Sequence, residues 1–183
     1  MSVGLLMIIL ITELNSFDQF QEHRAKIYRV TSNKLMYGQD LYMGAASYYI
    51  GEQLKTEVPG VEEVLIIKGG VDANLVRESG TINITGFYAT ANFFELFSFD
   101  LLRGNPQTAL AEPNGIVLTE GLASKLFGIE DPIGQTLEFE STGGWQSRQV
   151  NGIVTGIVAD PPQNSHLQFE SLVSMDTYEQ PAT

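Results

Sequence analysis

The sequence contains no cysteine and only two histidines, His23 and His166, among its 183 residues. The lack of cysteine excludes disulfide bonds, thiol catalysis, zinc–sulfur sites and iron–sulfur clusters. Two histidines so far apart in sequence do not form the i, i+4 pair that a helical metal site uses. We therefore predict that the chain has no metal site and no bound cofactor.

Basic residues are also scarce, since 10 Lys and Arg stand against 22 Asp and Glu, for a formal net charge of -12. A field of this sign repels phosphate backbones, so we predict that the chain does not bind nucleic acid. It also provides no polybasic patch for anionic lipid headgroups. The hydrophobic fraction of 43% is typical of a globular chain, long enough for one domain or two small lobes.

A hydrophobic run of the length that spans a bilayer is missing as well. Residues 3–11 are almost purely aliphatic, but a membrane helix needs roughly twenty such residues. No Lys or Arg precedes the run, so it does not resemble a secretory signal. Two interpretations stay open on composition alone: a buried strand or helix of the core, or the outer end of a membrane helix. The polar stretch 16–23 predicts a short amphipathic helix with Ser16 as its N-cap.

The first half of the chain shows a strand–helix–strand pattern. Apolar and polar residues alternate at 26–31, which predicts a half-buried strand. Apolar residues recur every four positions from 45 to 58, which predicts a helix that ends at Pro59. Residues 61–68 predict the second strand.

The second half is richer in strand signals. Residues 72–89 predict a hairpin with its turn at 78–80. Thr119 is predicted to cap a helix that Gly128 ends. Further strands are predicted at 137–140 and 149–159, and an extended stretch at 167–175. The fold class is therefore α+β, with a few short helices against a largely antiparallel sheet in two lobes.

Catalytic residues are not evident. Ser165, His166 and Asp160 are the ingredients of a triad, but adjacent Ser and His side chains on a turn usually point apart, and no G-x-S-x-G motif is present. The pairs Glu62–Glu63 and Glu130–Asp131 lack the calcium-loop pattern and are interpreted as solvated surface. Neither a P-loop nor a G-x-G-x-x-G motif occurs. We predict that the chain is not an enzyme.

Trp145 follows two glycines on a predicted loop. Such an aromatic side chain is typical of a partner anchor, and it is equally compatible with packing onto the sheet. No ligand-binding residue is assigned from the sequence.

Seven segments, taken in their order and spacing, resemble one known family. They are SFDQF at 16–20, IYRV at 27–30, FYATANFFELFSFDLLRG at 87–104, VLTE at 117–120, KLFG at 125–128, DPIGQTL at 131–137 and GIVADPPQNSHLQF at 156–169. Together they resemble the MacB-like periplasmic core domain of FtsX/MacB-type ABC transporter permeases, especially the version common in Bacteroidetes.

The resemblance implies a domain organisation. Residues 1–15 would be the remnant of the first transmembrane helix, which favours the membrane interpretation of the aliphatic run. Residues 16–183 would be the periplasmic core domain. Within it, 16–70 and 151–183 would form a mixed α/β, porter-like lobe and 71–150 a strand-rich, sabre-like insert. The family's domain continues further, so we expect this one to be incomplete at its C-terminal end.

The resemblance also implies a function at the periplasmic face of the inner membrane. Family members couple ATP hydrolysis by an ABC ATPase subunit or domain to movement of periplasmic domains, for export or mechanotransmission. The expected partners are that ATPase, a periplasmic or outer-membrane protein, and a second copy in a homodimer. The alternatives are an extracytoplasmic ligand-binding or sensor module, which requires a deep polar pocket, and a hydrolase with His166 or an acidic pair in a cleft.

Overall fold

The structure is a computed structural model that describes residues 2–77, 80–142 and 148–179. The helices are α1 (Ser2–Ser16), α2 (Tyr48–Glu57), α3 (Phe93–Leu96), α4 (Glu120–Phe127) and α5 (Met175–Glu179). The strands are β1 (Ser32–Met36), β2 (Gln39–Met43), β3 (Ile67–Arg77), β4 (Gly80–Ala89), β5 (Leu101–Arg103), β6 (Gly115–Thr119), β7 (Thr136–Ser141), β8 (Arg148–Val158) and β9 (Ser171–Ser174). The predicted α+β class is confirmed.

Seven of these strands form one mixed sheet. Its order is β3-β4-β9-β6-β8-β5, and β7 also pairs with β8. The pairs β4–β9 and β6–β8 are parallel, and the remaining pairs are antiparallel. The sheet curls, since the Thr142 amide just after β7 donates to the Asp72 carbonyl of β3 at 2.7 Å. The predicted division at residues 70 and 150 stays a prediction, and strands from both sides of it share this sheet.

Strand β6 lies in the middle of the sheet and is buried along its whole length. Ile116 and Leu118 belong to a core cluster that includes Leu122 and Leu126 of α4. Val117 points to the opposite side and belongs to a second, aromatic cluster. A strand covered on both faces shows no alternation of apolar and polar residues, which is why sequence periodicity missed β6.

The second cluster is built around Phe93 of α3, which has no exposed surface. Its ring centroid lies 5.3 Å from that of Phe97, 5.7 Å from Phe99 and 5.9 Å from Phe169. Edge-on and offset ring pairs at these distances are favourable beyond the area that they bury. The cluster closes one face of the sheet.

Two predictions in this part of the chain are confirmed. Strands β3 and β4 form the predicted antiparallel hairpin. Helix α4 begins after Thr119, whose Oγ accepts a hydrogen bond from the Leu122 amide at 3.3 Å, and it ends at Gly128 with φ of 62°. Glycine is favoured there because this φ lies in the region that L side chains rarely adopt.

The N-terminal region departs from its prediction. The strand predicted at 26–31 is wrong, because the first strand begins at Ser32 and Tyr28 before it is 83% exposed. The strand predicted at 61–68 begins only at Ile67. Instead, β1 and β2 form a hairpin whose turn residues Tyr37 and Gly38 both have positive φ, at 52° and 78°. That geometry is typical of the tight turn whose twist matches a two-stranded ribbon.

Residues 3–11 lie on α1, and their large aliphatic side chains are between 53% and 68% exposed. The interpretation of this run as a buried core element is therefore wrong. Within the described part of the chain, no helix is both long and apolar enough to cross a membrane. Ser16 is the last residue of α1 rather than the N-cap of a further helix, and its hydroxyl donates to the Glu13 carbonyl at 2.8 Å.

Candidate functional site at the end of helix α1

The end of α1 is fastened to the loop between β8 and β9, residues 159–170, which we call the β8–β9 connection. The Asn164 side-chain amide donates to the Ser16 carbonyl at 2.8 Å, and the Asp18 amide donates to the Asn164 carbonyl at 2.9 Å. Helix ends leave carbonyl groups without partners inside the helix. Asn164 supplies one such partner, so the two bonds join the helix end to the connection in both directions.

Asp18 and His166 form the second contact at this point. The His166 amide donates to Asp18 Oδ1 at 3.1 Å, and His166 Nδ1 lies 2.6 Å from Asp18 Oδ2. The imidazole also lies against Phe17, with ring centroids 4.8 Å apart. Asp18 has φ of 53°, a conformation that aspartate tolerates better than most residues. The chain therefore turns sharply here and presents one carboxylate to both the amide and the ring Nδ1 of His166.

The residues that follow attach to a second part of the domain. Gln21 is buried, and its side-chain carbonyl accepts a hydrogen bond from the Ser98 amide at 2.8 Å. The Glu22 amide donates to the Ser98 hydroxyl at 3.0 Å. Phe20 packs edge-on against Phe99 of the aromatic cluster at 5.2 Å. We call residues 16–22 with these partners the α1 junction.

The β8–β9 connection also holds helix α4. Asp160 Oδ1 accepts from the Gly121 amide at 3.1 Å, in the first turn of α4. A carboxylate is favourable at this end of a helix because the amides there carry partial positive charge. At the other end of the connection, the Glu170 carbonyl accepts from the Thr119 amide at 2.9 Å, and its carboxylate lies 3.2 Å from Lys125 Nζ. One loop thus contacts both α1 and α4.

The residues considered for a triad are engaged in these separate contacts. Ser165 is buried, and its hydroxyl accepts from the Leu167 amide at 3.2 Å. His166 bonds Asp18, whereas Asp160 bonds the start of α4. The structure brings the three residues into one loop but gives each a different partner.

The two acidic pairs lie on the surface, and one member of each, Glu63 or Asp131, forms an exposed ion pair. Lys55 lies 2.9 Å from the Glu63 carboxylate, and its hydrogen bond lowers the pKa of Glu63. Arg103 lies 2.9 Å from Asp131 and lowers the pKa of that carboxyl in the same way. Among residues 2–77, 80–142 and 148–179, no group of three or more acidic or histidine side chains could hold a metal ion. Trp145 lies outside the described residues.

Comparison with known proteins decides the family. The model of the MacB-like periplasmic core domain matches residues 1–182. The chain belongs to this family. The resemblance drawn from the seven segments is confirmed, and the family is one of transporter permease domains.

Solved structures show the same fold as this MacB-like domain. A permease protein domain from Porphyromonas gingivalis matches with a TM-score of 0.61 and 21% identity, over 83% of this chain and 62% of that one. The extracellular domain of the noncanonic ABC-type transporter YknZ from Gram-positive bacteria matches with a TM-score of 0.53 and 16% identity, over 73% and 65%. The chain thus spans less than two thirds of either structure. A search of curated proteins finds no match.

The α1 junction of this MacB-like domain was not found from the sequence. Asp18 and His166 lie 148 residues apart, so no local pattern connects them. Two of the resembling segments, SFDQF and GIVADPPQNSHLQF, contain all the residues that join α1 to the β8–β9 connection. The sequence therefore contained a signal for the α1 junction, but only in the joint presence of two segments that lie far apart in the chain.

Proposed function

We propose that this MacB-like domain is the extracytoplasmic domain of an ABC transporter permease. In this proposal it couples ATP-driven conformational change to export or mechanotransmission across the cell envelope. The observation that carries the proposal is the α1 junction, because an apolar helix is fastened by its polar end to a folded sheet. A displacement of α1 along its axis would act directly on that sheet.

The exposed surface of α1 supports a membrane location for this helix. Its aliphatic side chains are more than half exposed in every direction, from 53% at Leu10 to 68% at Val3. An apolar surface of this kind is unfavourable in water, and a helix that is apolar all round is typical of a lipid or core environment. We place α1 in the inner membrane and the rest of the chain on its periplasmic face.

The proposed partners follow from the family. An ABC ATPase subunit or domain supplies the energy, and a periplasmic or outer-membrane protein and a second copy of the permease are further candidates. We propose no catalytic role for the domain. In support, the side chains considered for catalysis are engaged in structural contacts with α1, α4 and neighbouring amides.

The location is tested by labelling single cysteines in a full permease from which any other cysteine has been removed; the 183-residue sequence contributes none. Glu138→Cys lies on an exposed position of β7, and Ile8→Cys lies on α1. In spheroplasts that express the full permease, a membrane-impermeant maleimide should label Glu138→Cys from outside and leave Ile8→Cys unlabelled. Labelling of Glu138→Cys only after lysis would refute the periplasmic location.

The coupling is tested with the full permease and its ATPase in proteoliposomes. An environment-sensitive fluorophore on Glu138→Cys should change its emission when ATP is hydrolysed, because the sheet moves with α1. A non-hydrolysable analogue should hold the signal at one extreme. Steady emission during measured ATP turnover would contradict the coupling and leave the location intact.

A further inference from the structure

We propose that the β8–β9 connection transmits displacement of α1 to α4. Asn164 and His166 act as positioning residues on the α1 side, and Asp160 and Glu170 act on the α4 side. The inference rests on the proposed coupling function and names the residues through which a displacement of α1 would pass to α4. The route is defined by contacts at both ends of one loop.

The α1 side is held too tightly for independent movement. Four hydrogen bonds between 2.6 and 3.1 Å join residues 16–18 to residues 164–166, two through Asn164 and two through His166. A donor–acceptor distance beyond about 3.5 Å no longer counts as a hydrogen bond. A shift of α1 by about 1 Å must therefore carry the connection with it or break these bonds.

The connection itself is braced from within. The Gln168 side-chain amide donates to the carbonyls of Pro162 at 2.7 Å and Ser165 at 3.0 Å. The Ser165 amide donates to the Pro162 carbonyl at 3.0 Å. Pro161 and Pro162 add fixed φ angles next to Asp160. These restraints limit the conformational freedom of the β8–β9 connection, so that it can move as one unit.

The α4 side receives the loop at two points. Asp160 bonds the first turn of α4 through the Gly121 amide, and Glu170 bonds both the Thr119 amide and Lys125. Asn164 and His166 lie between these two points in sequence. A displacement of residues 164–166 can therefore reach the start of α4 through Asp160, which precedes them, and through Glu170, which follows them.

The test is amide hydrogen exchange, measured by NMR on the 183-residue chain with Asp18→Ala in detergent micelles, which cover the exposed apolar side chains of α1. This change removes both carboxylate oxygens that contact His166, so exchange of the His166 amide should accelerate by about tenfold. If the connection transmits, the Gly121 amide should also accelerate by about threefold or more, the range expected for coupling between distant sites. Gly121 makes its hydrogen bond to Asp160, not to Asp18.

The reverse experiment uses Asp160→Ala. Because coupling between two sites is reciprocal, this change should accelerate the Asp18 amide, which bonds the Asn164 carbonyl. Asp131→Ala is the matched control, since it removes an exposed 2.9 Å ion pair outside the connection. It should leave both reporter amides unchanged.

General destabilisation is separated from coupling by the buried Leu118 and Val154 amides, which report opening of the core. The exchange rate of each reporter amide is divided by the exchange rate of the core amides. Asp18→Asn keeps an acceptor for the His166 amide, so it should return the Gly121 ratio to its value in the unsubstituted chain. An unchanged Gly121 ratio with a faster His166 amide would overturn the transmission. Because the measurement needs neither membrane nor ATPase, failure of the proposed function would not alter its outcome.

Discussion

The sheet region, residues 67–178, and the N-terminal region, residues 24–58, differ sharply in how they are held. The first encloses two core clusters on opposite sides of β6. The second presents tyrosines to solvent, with Tyr37 fully exposed and Tyr42 80% exposed. An isolated two-stranded hairpin is marginal in water, whereas a strand buried on both faces is fixed by its neighbours. The α1 junction attaches to the better packed of the two regions.

The largest contrast should come from aromatic truncation. Phe93→Ala removes the centre of the aromatic cluster and should lower the free energy of unfolding by about 3–5 kcal/mol. Tyr42→Ala in the hairpin should change it by less than about 0.5 kcal/mol. Urea unfolding followed by circular dichroism measures both. Equal losses would show that the hairpin is part of the cooperative core.

Helix caps give a smaller contrast between the same regions. Thr119→Ala removes the side-chain cap of α4 and should cost about 1 kcal/mol. Thr119→Ser keeps the hydroxyl and should recover most of that loss. Ser47→Ala at the start of α2 should cost little, because Ser47 makes no side-chain cap bond. Thermal unfolding of the three variants ranks them, and a Ser47→Ala loss as large as that of Thr119→Ala would refute the distinction.

The smallest effect concerns two exposed ion pairs. Lys55 of the N-terminal region pairs with Glu63, and Arg103 pairs with Asp131 within the sheet region. Lys55 lowers the pKa of Glu63, and Arg103 lowers the pKa of Asp131. A carboxyl with a lowered folded pKa stabilises the fold above its unfolded pKa. That contribution is lost as the pH falls through the folded pKa, and it is small because both pairs are exposed.

NMR titration of the side-chain carboxyls measures these shifts directly. Lys55→Met should return the Glu63 pKa towards its usual range, and Arg103→Met should do the same for Asp131. If only the Asp131 titration responds, the Lys55 contact does not persist in solution, and the contrast between the regions extends to their surfaces.

Local signals predicted the parts of the fold that depend on near neighbours. The β3–β4 hairpin follows from two apolar runs around a turn, and α4 follows from Thr119 at one end and Gly128 at the other. The strand predicted from the alternation at 26–31 does not form. Alternation shows that a segment could present one apolar face as a strand, but it does not show that a partner strand is present. Strand β6 was missed for the opposite reason, since both of its faces are covered.

The α1 junction lay beyond local reasoning altogether. Ser165, His166 and Asp160 drew attention as a set because they are close in sequence, yet their partners are Leu167, Asp18 and Gly121. Only the fold brings the last turn of α1 against a loop 148 residues away. Ser16 was misassigned because its polar neighbours resemble a helix start, whereas the aliphatic helix before it continues to that residue.

The place of β9 in the sheet has a consequence for folding of the protein. This four-residue strand lies between β4 and β6, although it follows every other strand of the described residues in sequence. Until β9 is available, the facing edges of β4 and β6 therefore stay unpaired and invite wrong pairing. Pairing of β4 with a strand so distant in sequence is also intrinsically slow. The sheet can be completed only when the chain is free to fold as far as Ser174, and until then the open strand edges make the domain prone to aggregation.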